Sequence, residues 1–211
     1  MAFKHILFSK NFRQRDAALQ RALEKIRNGN IDAQVLSLLN SRVCAAHNDE
    51  KMLVLTATRA LADQLNNRHL AGIAGEPVVY KASFWHKNSN FDYSIYRAPQ
   101  QLILKIGARV MLVANNLPYW ANGMLGTVLQ LEQEAITLQL DGHDDAIIIK
   151  RKVWDDTRYD DEGNKQLLLG EYTQFPLMLG KAVTIHKAQG ISADALYLIC
   201  VPVCVQQGSF M

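Results

Sequence analysis

Apolar positions before residue 43 recur at helical spacing. In "DAALQRALEKIRN" the leucines and the isoleucine fall on one face, Asp16 stands at the start as an N-cap, and Gly29 follows as a C-terminal stop. The segment 32–42, "DAQVLSLLNSR", predicts a second and shorter helix. Two amphipathic helices are therefore predicted in this part of the chain.

An apolar run follows at 51–58, "KMLVLTAT", and predicts a buried strand that ends in two threonines. The next segment, 59–73, has helical periodicity. The residues predicted to face inward from this helix are Leu61, Leu65, His69 and Leu70. A buried strand that turns through hydroxyl groups into a helix is a unit of an α/β domain.

From residue 76 onward the pattern changes to short alternating segments. Strands are predicted in "EPVVYKASFW", "ARVMLVAN", "GTVLQLE", "AITLQLD" and "AIIIKRKVW", separated by turn signals such as "ANG" and "DGHDD". In the fourth of these, Ile136, Leu138 and Leu140 alternate with polar residues, which is typical of a half-exposed antiparallel strand. After these strands, "LMLGKAVTIHKAQG" and "ADALYLICVPV" return to longer apolar runs, as in a covered parallel sheet. The pattern therefore predicts an α/β domain interrupted by a small β barrel.

Composition narrows the class of protein without identifying it. The 211 residues are 49% hydrophobic and 20% charged, and the net charge of +3 is dispersed along the chain rather than gathered in a basic stripe. Three cysteines do not suggest a disulfide framework, and Cys200 and Cys204 have no second Cys or His pair at metal-site spacing. With no apolar run long enough for a membrane span and no secretory signal, we expect a cytoplasmic protein without a metal site or a membrane partner.

The stretch "GKAVTIHKAQG", 180–190, places polar residues at the end of an apolar run. If this stretch is a strand followed by a turn, Val183 and Ile185 face the core, and Thr184 and His186 lie on the opposite face. A hydroxyl and an imidazole two residues apart can bind a nucleic-acid phosphate, and such a contact is independent of base sequence.

Gln189 and Gly190 follow where this strand is expected to turn. There a side-chain amide and an unhindered backbone can approach a second phosphate. Taken singly, residues of these types are more often structural than functional. Their combination is more specific, and it predicts a site that binds phosphate.

"AVTIHKAQG" resembles motif V of superfamily 1 DNA helicases of the RecD/PIF branch, the exonuclease V alpha subunit-like group. In the same order along the chain, "NFRQRDAALQRALEKIRNG" resembles the F-R-Q-x-D helix of that family, and "VLTATRALADQLNNRHL" resembles its L-x-P-T-N strand and helix. "LILKIGARVMLVANN" with "WANGMLGTV" is similar to the family's entry into an inserted barrel, and "YTQFPL" to its exit. The resemblance implies a RecA-like second motor domain, a parallel sheet with flanking helices, that carries an inserted small antiparallel Src-homology-3-like β barrel.

The resemblance also implies domain boundaries. Residues 1–105 are expected to form the first part of the motor domain, 106–176 the barrel, and 177–211 the second part of the motor domain, truncated before the last motif of the family. The chain has no G-x-x-x-x-G-K-[ST] loop and no acidic pair after a strand to hold magnesium. We therefore expect the C-terminal fragment of an ATP-dependent DNA helicase, without its first motor domain.

Such a helicase is expected to translocate on single-stranded DNA from 5′ to 3′ and to unwind duplex DNA. Its ATP and Mg²⁺ are expected to be bound mainly by the missing P-loop domain, so this chain alone is not expected to hydrolyse ATP. The expected partners are single-stranded DNA and the P-loop motor domain of the same protein. DNA repair and recombination are among the pathways that would suit such an enzyme.

The resemblance assigns roles to individual residues. Arg13 in "FRQ" matches the arginine that reaches the γ-phosphate of ATP, and a charged fork of donors suits phosphoryl transfer. Gln189 and Gly190 match positions that line the nucleotide cleft. The positions that match the single-stranded DNA track are Thr58, Thr184, His186 and Lys187.

Some matched positions depart from the family pattern or allow a structural interpretation. Arg59 stands where the family has the asparagine of P-T-N, which leaves the DNA contact of Thr58 open. Asn66 matches a helix asparagine that could equally be structural. Gly123 and Gly126, of the N-G-x-x-G segment, are interpreted mainly as turn formers.

An alternative function stays open at this point. A degenerate, non-catalytic helicase half could act as a module that binds DNA or a protein partner. An unrelated β-barrel adaptor with accidental motifs is disfavoured, because several segments match in the same order.

Overall fold

The computed structural model describes residues 16–41, 43, 52–88, 90–159, 166–189, 191 and 196–199. The chain divides into two compact units, Met1–Asn48 and Asp49–Met211. Within the described ranges, the helices are too short or too polar to cross a lipid bilayer.

The described residues of the first unit form two helices, α1 (Ala17–Arg27) and α2 (Ala33–Asn40). The carboxylate of Asp16 caps α1 by accepting hydrogen bonds of 2.9 and 3.1 Å from two backbone N–H groups of its first turn. After the last turn of α1, Gly29 has a left-handed backbone with φ of +74°. Both helices and both end signals of α1 are confirmed.

The second unit contains thirteen strands and two α-helices among its described residues. The helices are α3 (Arg59–Gly72) and the short α4 (Ile185–Ala188). The strands are β1 (Leu53–Thr56), β2 (Val78–Lys81), β3 (Ser83–His86), β4 (Gln101–Leu104), β5 (Arg109–Leu112), β6 (Leu125–Leu131), β7 (Ala135–Leu140), β8 (Ala146–Lys150), β9 (Lys152–Tyr159), β10 (Gln166–Gln174), β11 (Leu177–Leu179), β12 (Ala182–Thr184) and β13 (Leu196–Ile199).

A parallel sheet lies at the centre of the predicted α/β region. Its described strands have the order β12–β1–β13, and β1 pairs in parallel with both neighbours. Helix α3 follows β1 directly and packs on β1 and β12. The predicted parallel pairing is therefore confirmed for β12 and β13, whereas Leu177–Leu179, at the start of the first run, form β11 and pair antiparallel with β5.

The intervening strands form antiparallel sheets. Five of them have the order β11–β5–β6–β7–β8, three have the order β3–β10–β9, and β2 pairs with β4. Two residues, Gly180 and Lys181, separate β11 of the antiparallel sheet from β12 of the parallel sheet. The fold is thus a RecA-like α/β domain with a small antiparallel β insertion, as the sequence predicts.

Among the described residues, the largest cluster of buried apolar side chains lies mainly within the antiparallel strands and includes Leu70 of α3. On β7, Ile136, Leu138 and Leu140 are at most 2% exposed, which confirms the predicted alternation. A second cluster joins the two kinds of sheet, because Met111 of β5 packs with Leu53 of β1, Leu125 of β6 and Val183 of β12. The strand that leads to the polar stretch is therefore anchored in an apolar contact with the insertion.

The buried face of α3 differs from the predicted one. Ala62, Asn66 and Leu70 are buried, whereas Leu61 and Leu65 are half-buried, as is His69. Of the predicted inward residues only Leu70 is confirmed as buried. Asn66 lies on the buried face because its side chain hydrogen-bonds to β12.

Two buried polar groups stabilise the insertion. The guanidinium of Arg109, on β5, donates to both carboxylate oxygens of Asp141, at 2.8 and 2.5 Å, and to the hydroxyl of Thr127 at 3.0 Å. The phenol of Tyr172, on β10, donates to the carbonyl of Ala98 at 2.9 Å. Burial raises the pKa of Tyr172 to about 12.

The two glycines of the N-G-x-x-G segment have different roles. Gly123 has φ of +91°, so it forms a turn as predicted. Gly126 lies inside β6, where a Cβ atom would be 2.8 Å from the carbonyl oxygen of Gln139 on β7. Gly126 is therefore required for close approach between strands, and the prediction that it forms a turn is wrong.

Candidate nucleic-acid interface

The carboxyl ends of β1 and β12 lie side by side at one edge of the parallel sheet. Thr56, the last residue of β1, is in register with Thr184, the last residue of β12. Thr56 is fully buried, and its hydroxyl donates to the carbonyl of Thr58 at 2.9 Å. This hydrogen bond fixes the turn by which β1 leads into α3, so Thr56 is structural.

A threonine caps the helix that follows each of these two strands. The hydroxyl of Thr58 accepts a hydrogen bond of 3.3 Å from the backbone N–H of Leu61 in α3. The hydroxyl of Thr184 accepts one of 3.4 Å from the backbone N–H of Lys187 in α4. Thr58 is exposed and Thr184 is half-buried, so the structure places both predicted threonines near each other at the same sheet edge.

The predicted alternation beyond Thr184 is wrong. The strand ends at Thr184, and residues 185–188 form the short helix α4, so Thr184 and His186 do not share a strand face. Ile185 is 49% exposed and does not enter the core. The physical reason is the cap, because the bond from Lys187 to the Thr184 hydroxyl starts a helical turn in place of a further strand residue. His186 is exposed, which leaves its imidazole available to a ligand.

The side-chain amide of Asn66 holds β12 in place. Its Nδ2 donates to the carbonyl of Ala182 and its Oδ1 accepts from the N–H of Ala182, both at 2.8 Å. Asn66 is 4% exposed, so this amide takes the place of a neighbouring strand on the edge of β12. Of the two roles left open by the sequence, the structural one accounts for Asn66.

Lys187 lies between the site and a cleft of about 340 Å³. Burial lowers the pKa of its ammonium group, and the charges of Arg59 and Arg97 lower this pKa further, while Asp63 acts in the opposite direction. The Nζ atom lies 3.7 Å from the sulfur of Met178, a weak acceptor. The edge of the sheet near Thr184 is therefore electropositive.

The nucleotide side of the predicted site is described only in part. Gln189 is exposed and ends α4, where its backbone N–H donates to the carbonyl of His186 at 3.4 Å. Arg13 and Gly190 lie outside the described residues. The roles of these residues in binding nucleotide stay predictions.

The described geometry suits binding of a phosphate chain. It combines hydroxyl groups, an imidazole and an ammonium group at the ends of adjacent parallel strands, where ligands of α/β sheets commonly bind. Sequence reasoning did not identify Arg97, because nothing in the local pattern around it signals proximity to Lys187. Within the described ranges no three His, Cys, Asp or Glu side chains are grouped as a metal site would require.

Comparison with known proteins identifies the relatives of this chain. No protein-family model matches it. It is 30% identical over 198 residues to the ATP-dependent DNA helicase Pif1 of Bdellovibrio bacteriovorus. The aligned region covers 92% of this chain and 44% of that protein. The chain spans about half the length of the curated relatives it matches.

Two solved structures show the same relationship. The Bacteroides sp Pif1 structure in complex with ADP-AlF4 superposes with a TM-score of 0.77 and 30% identity, over 90% of this chain and 44% of that chain. The Bacteroides Pif1 structure bound to single-stranded DNA has a TM-score of 0.62 and 31% identity over the same shares. The homologues of this chain are therefore Pif1-family helicases.

Proposed function

We propose that this chain is the second motor domain, with its inserted barrel, of an ATP-dependent DNA helicase that translocates on single-stranded DNA from 5′ to 3′ and unwinds duplex DNA. One observation carries the proposal: Thr58, Thr184 and Lys187 lie together at one edge of the parallel sheet in a chain whose homologue binds single-stranded DNA. Contacts of this kind bind the sugar-phosphate backbone irrespective of base sequence, as a translocating motor requires.

On this proposal the site residues bind DNA in two ways, by hydrogen bonds and by charge. The hydroxyls of Thr58 and Thr184 and the imidazole of His186 bind backbone phosphates through hydrogen bonds, and Lys187 neutralises phosphate charge. Thr184 is the last residue of β12, which is hydrogen-bonded in register to β1, so the sheet keeps the two threonines close to each other. Movement along DNA would then come from displacement of this domain relative to the P-loop domain.

The nucleotide side is proposed to consist of Arg13, Gln189 and Gly190. Arg13 would stabilise the charge of the transferred γ-phosphoryl group, and Gln189 and Gly190 would line the cleft. ATP and Mg²⁺ would be bound mainly by a P-loop motor domain of the same protein, which this chain does not contain. The chain alone should therefore not hydrolyse ATP.

The domain organisation and the branch of the family belong to the same proposal. We place the motor domain at 1–105 and 177–211 and the Src-homology-3-like barrel at 106–176, with β11 as the connection because it pairs with β5. We also propose, from the motifs, that the chain belongs to the RecD/PIF branch of superfamily 1; that the homologues named above are Pif1 helicases supports this proposal.

A non-catalytic helicase half that binds DNA is the second candidate. It shares the DNA-binding edge but makes no use of Arg13. Joined to its P-loop domain, an Arg13→Ala variant of a true motor loses ATP hydrolysis while retaining DNA binding. In a binding module the same substitution changes neither.

The experiment that tests the proposal is binding of a fluorescein-labelled oligo-dT to the 211-residue chain. Fluorescence anisotropy is measured from about 20 to about 300 mM NaCl, a range over which counterion release changes the affinity measurably. We expect weak binding with a negative log–log slope that corresponds to a few phosphate contacts. His186→Ala should weaken binding several-fold, whereas His143→Ala, at an exposed turn of the insertion, should not. Absence of binding at the lowest salt concentration would refute the proposed DNA contacts.

A further inference from the structure

Three positive side chains lie at or near the edge of the parallel sheet where Thr184 ends β12. Arg59 is the first residue of α3 and follows Thr58 directly. Lys187 is in α4, which starts from the neighbouring strand. Arg97 precedes β4 and, with Lys187, lines the cleft of about 340 Å³. The fold therefore brings together three cations that are far apart in sequence.

Among the described residues, no ion pair compensates these charges. Within the part of the chain that the structure describes, the ion pairs found involve Lys25, His86, Arg109 and Arg151, and none involves these three cations. Asp63 lines the same cleft, but it forms no ion pair of 4.0 Å or less with Lys187 among the described contacts. The influence of Arg59 and Arg97 on the pKa of Lys187 agrees with this proximity.

Bringing like charges together costs free energy in the folded chain unless an anion binds between them. The cleft also has neutral hydrogen-bonding side chains, Asn67 and Gln101, that can bind phosphate oxygens. Two of the three cations are arginines, whose planar forks bind phosphate through paired hydrogen bonds. The ligand that fits is an extended anion that also reaches Thr58 and Thr184.

We propose that Arg59, Arg97 and Lys187 form a second phosphate-binding site, which extends the single-stranded DNA track from the threonines into the cleft beside α3. This inference rests on the proposed function and adds Arg59 and Arg97 to it. Arg59 is the position where the chain departs from the P-T-N pattern, so the site is a property of this sequence. On this assignment each arginine contacts one phosphate.

The test measures oligo-dT binding by the full 211-residue chain, its Arg59→Gln/Arg97→Gln double variant and an Arg68→Gln control, across the same salt series. Arg68 is exposed on α3 and does not line the cleft. Loss of two phosphate contacts should reduce the log–log slope by about 1.4 and weaken binding at low salt on the order of tenfold. The Arg68→Gln variant should match the parent chain.

Further measurements separate the possible outcomes. Circular dichroism tests whether the double variant is folded. Arg59→Lys/Arg97→Lys should bind oligo-dT with intermediate affinity, because it keeps the charge but loses the paired hydrogen-bond geometry.

If the parent chain binds and the double variant behaves like Arg68→Gln, this inference is overturned while the proposed function stands. If the parent chain does not bind, both are overturned. If the double variant loses binding of fluorescent ATP but keeps that of oligo-dT, the site is a nucleotide site and the inference is also overturned.

Discussion

Replacing Asn66 by aspartate exchanges the side-chain NH2 group for an oxygen atom, at the point where α3 is hydrogen-bonded to β12. The amide donates to the carbonyl of Ala182 and accepts from its N–H, and Asn66 is almost fully buried. A carboxylate of the same size keeps the acceptor and loses the donor. It also places a negative charge against the carbonyl oxygen of Ala182.

The expected loss in the free energy of unfolding follows from the polar groups that the substitution leaves without hydrogen-bond partners. A buried carbonyl without a donor costs about 1–3 kcal/mol, and a buried charge adds to that. We expect Asn66→Asp to lower the free energy of unfolding by about 2–4 kcal/mol at neutral pH, a large fraction of the roughly 5–15 kcal/mol of a typical domain. Burial raises the pKa of the introduced carboxyl, so the folded variant binds its proton more tightly than the unfolded chain does. The loss should therefore shrink as the pH falls through this raised pKa.

Urea unfolding of the chain, followed by circular dichroism, measures the effect. Gln64→Glu is the control, because Gln64 is an exposed residue of α3 that does not line the cleft; it should change the free energy of unfolding by less than about 0.5 kcal/mol. In Asn66→Asp, oligo-dT binding should also weaken, because β12 leads directly to Thr184. Equal destabilisation by the two variants, or no improvement at lower pH, would refute the role assigned to Asn66.

Two further predictions concern the insertion. Asp141→Ala should lower the free energy of unfolding by about 1–3 kcal/mol, because Arg109 is 3% exposed and loses its charged partner. Asp144→Ala is the control and should have little effect on this free energy. Equal urea midpoints for the two variants would contradict the prediction. Tyr172 has a pKa raised to about 12 by burial, against 10.0 as its ordinary value, so its contribution to stability is complete below pH 10 and is lost as the pH rises toward 12. The loss amounts to about 3 kcal/mol, and Tyr172→Phe should show a shallower alkaline decline in urea midpoint than the parent chain. Identical declines would argue against a buried phenol.

Local patterns in the sequence predict much of the fold. The alternation of Ile136, Leu138 and Leu140 and the capping signal at Asp16 depend on neighbours in sequence, and the structure confirms both. The buried face of α3 could not be predicted in the same way. It depends on hydrogen bonds between Asn66 and a strand that lies far along the chain, and helical periodicity carries no information about such a contact.

At the site, too, local sequence predicts some features, and contacts between residues far apart in sequence determine others. The motif predicts which residues carry the chemistry, but not that the strand ends at Thr184, since one hydroxyl–amide bond decides between a strand residue and a helical turn. Arg97 lies beside Lys187 because the segment that leads into β4 lines the same cleft as α4, although the two are far apart in sequence. Sequence spacing alone cannot reveal such a neighbour.

The short connection through Gly180 and Lys181 has a mechanical consequence. Two residues leave too little slack for the five-stranded sheet to swing independently of β12, and the packing of Met111 and Leu125 against Val183 couples them further. A displacement of the five-stranded sheet would therefore also displace β12, the strand that ends at Thr184.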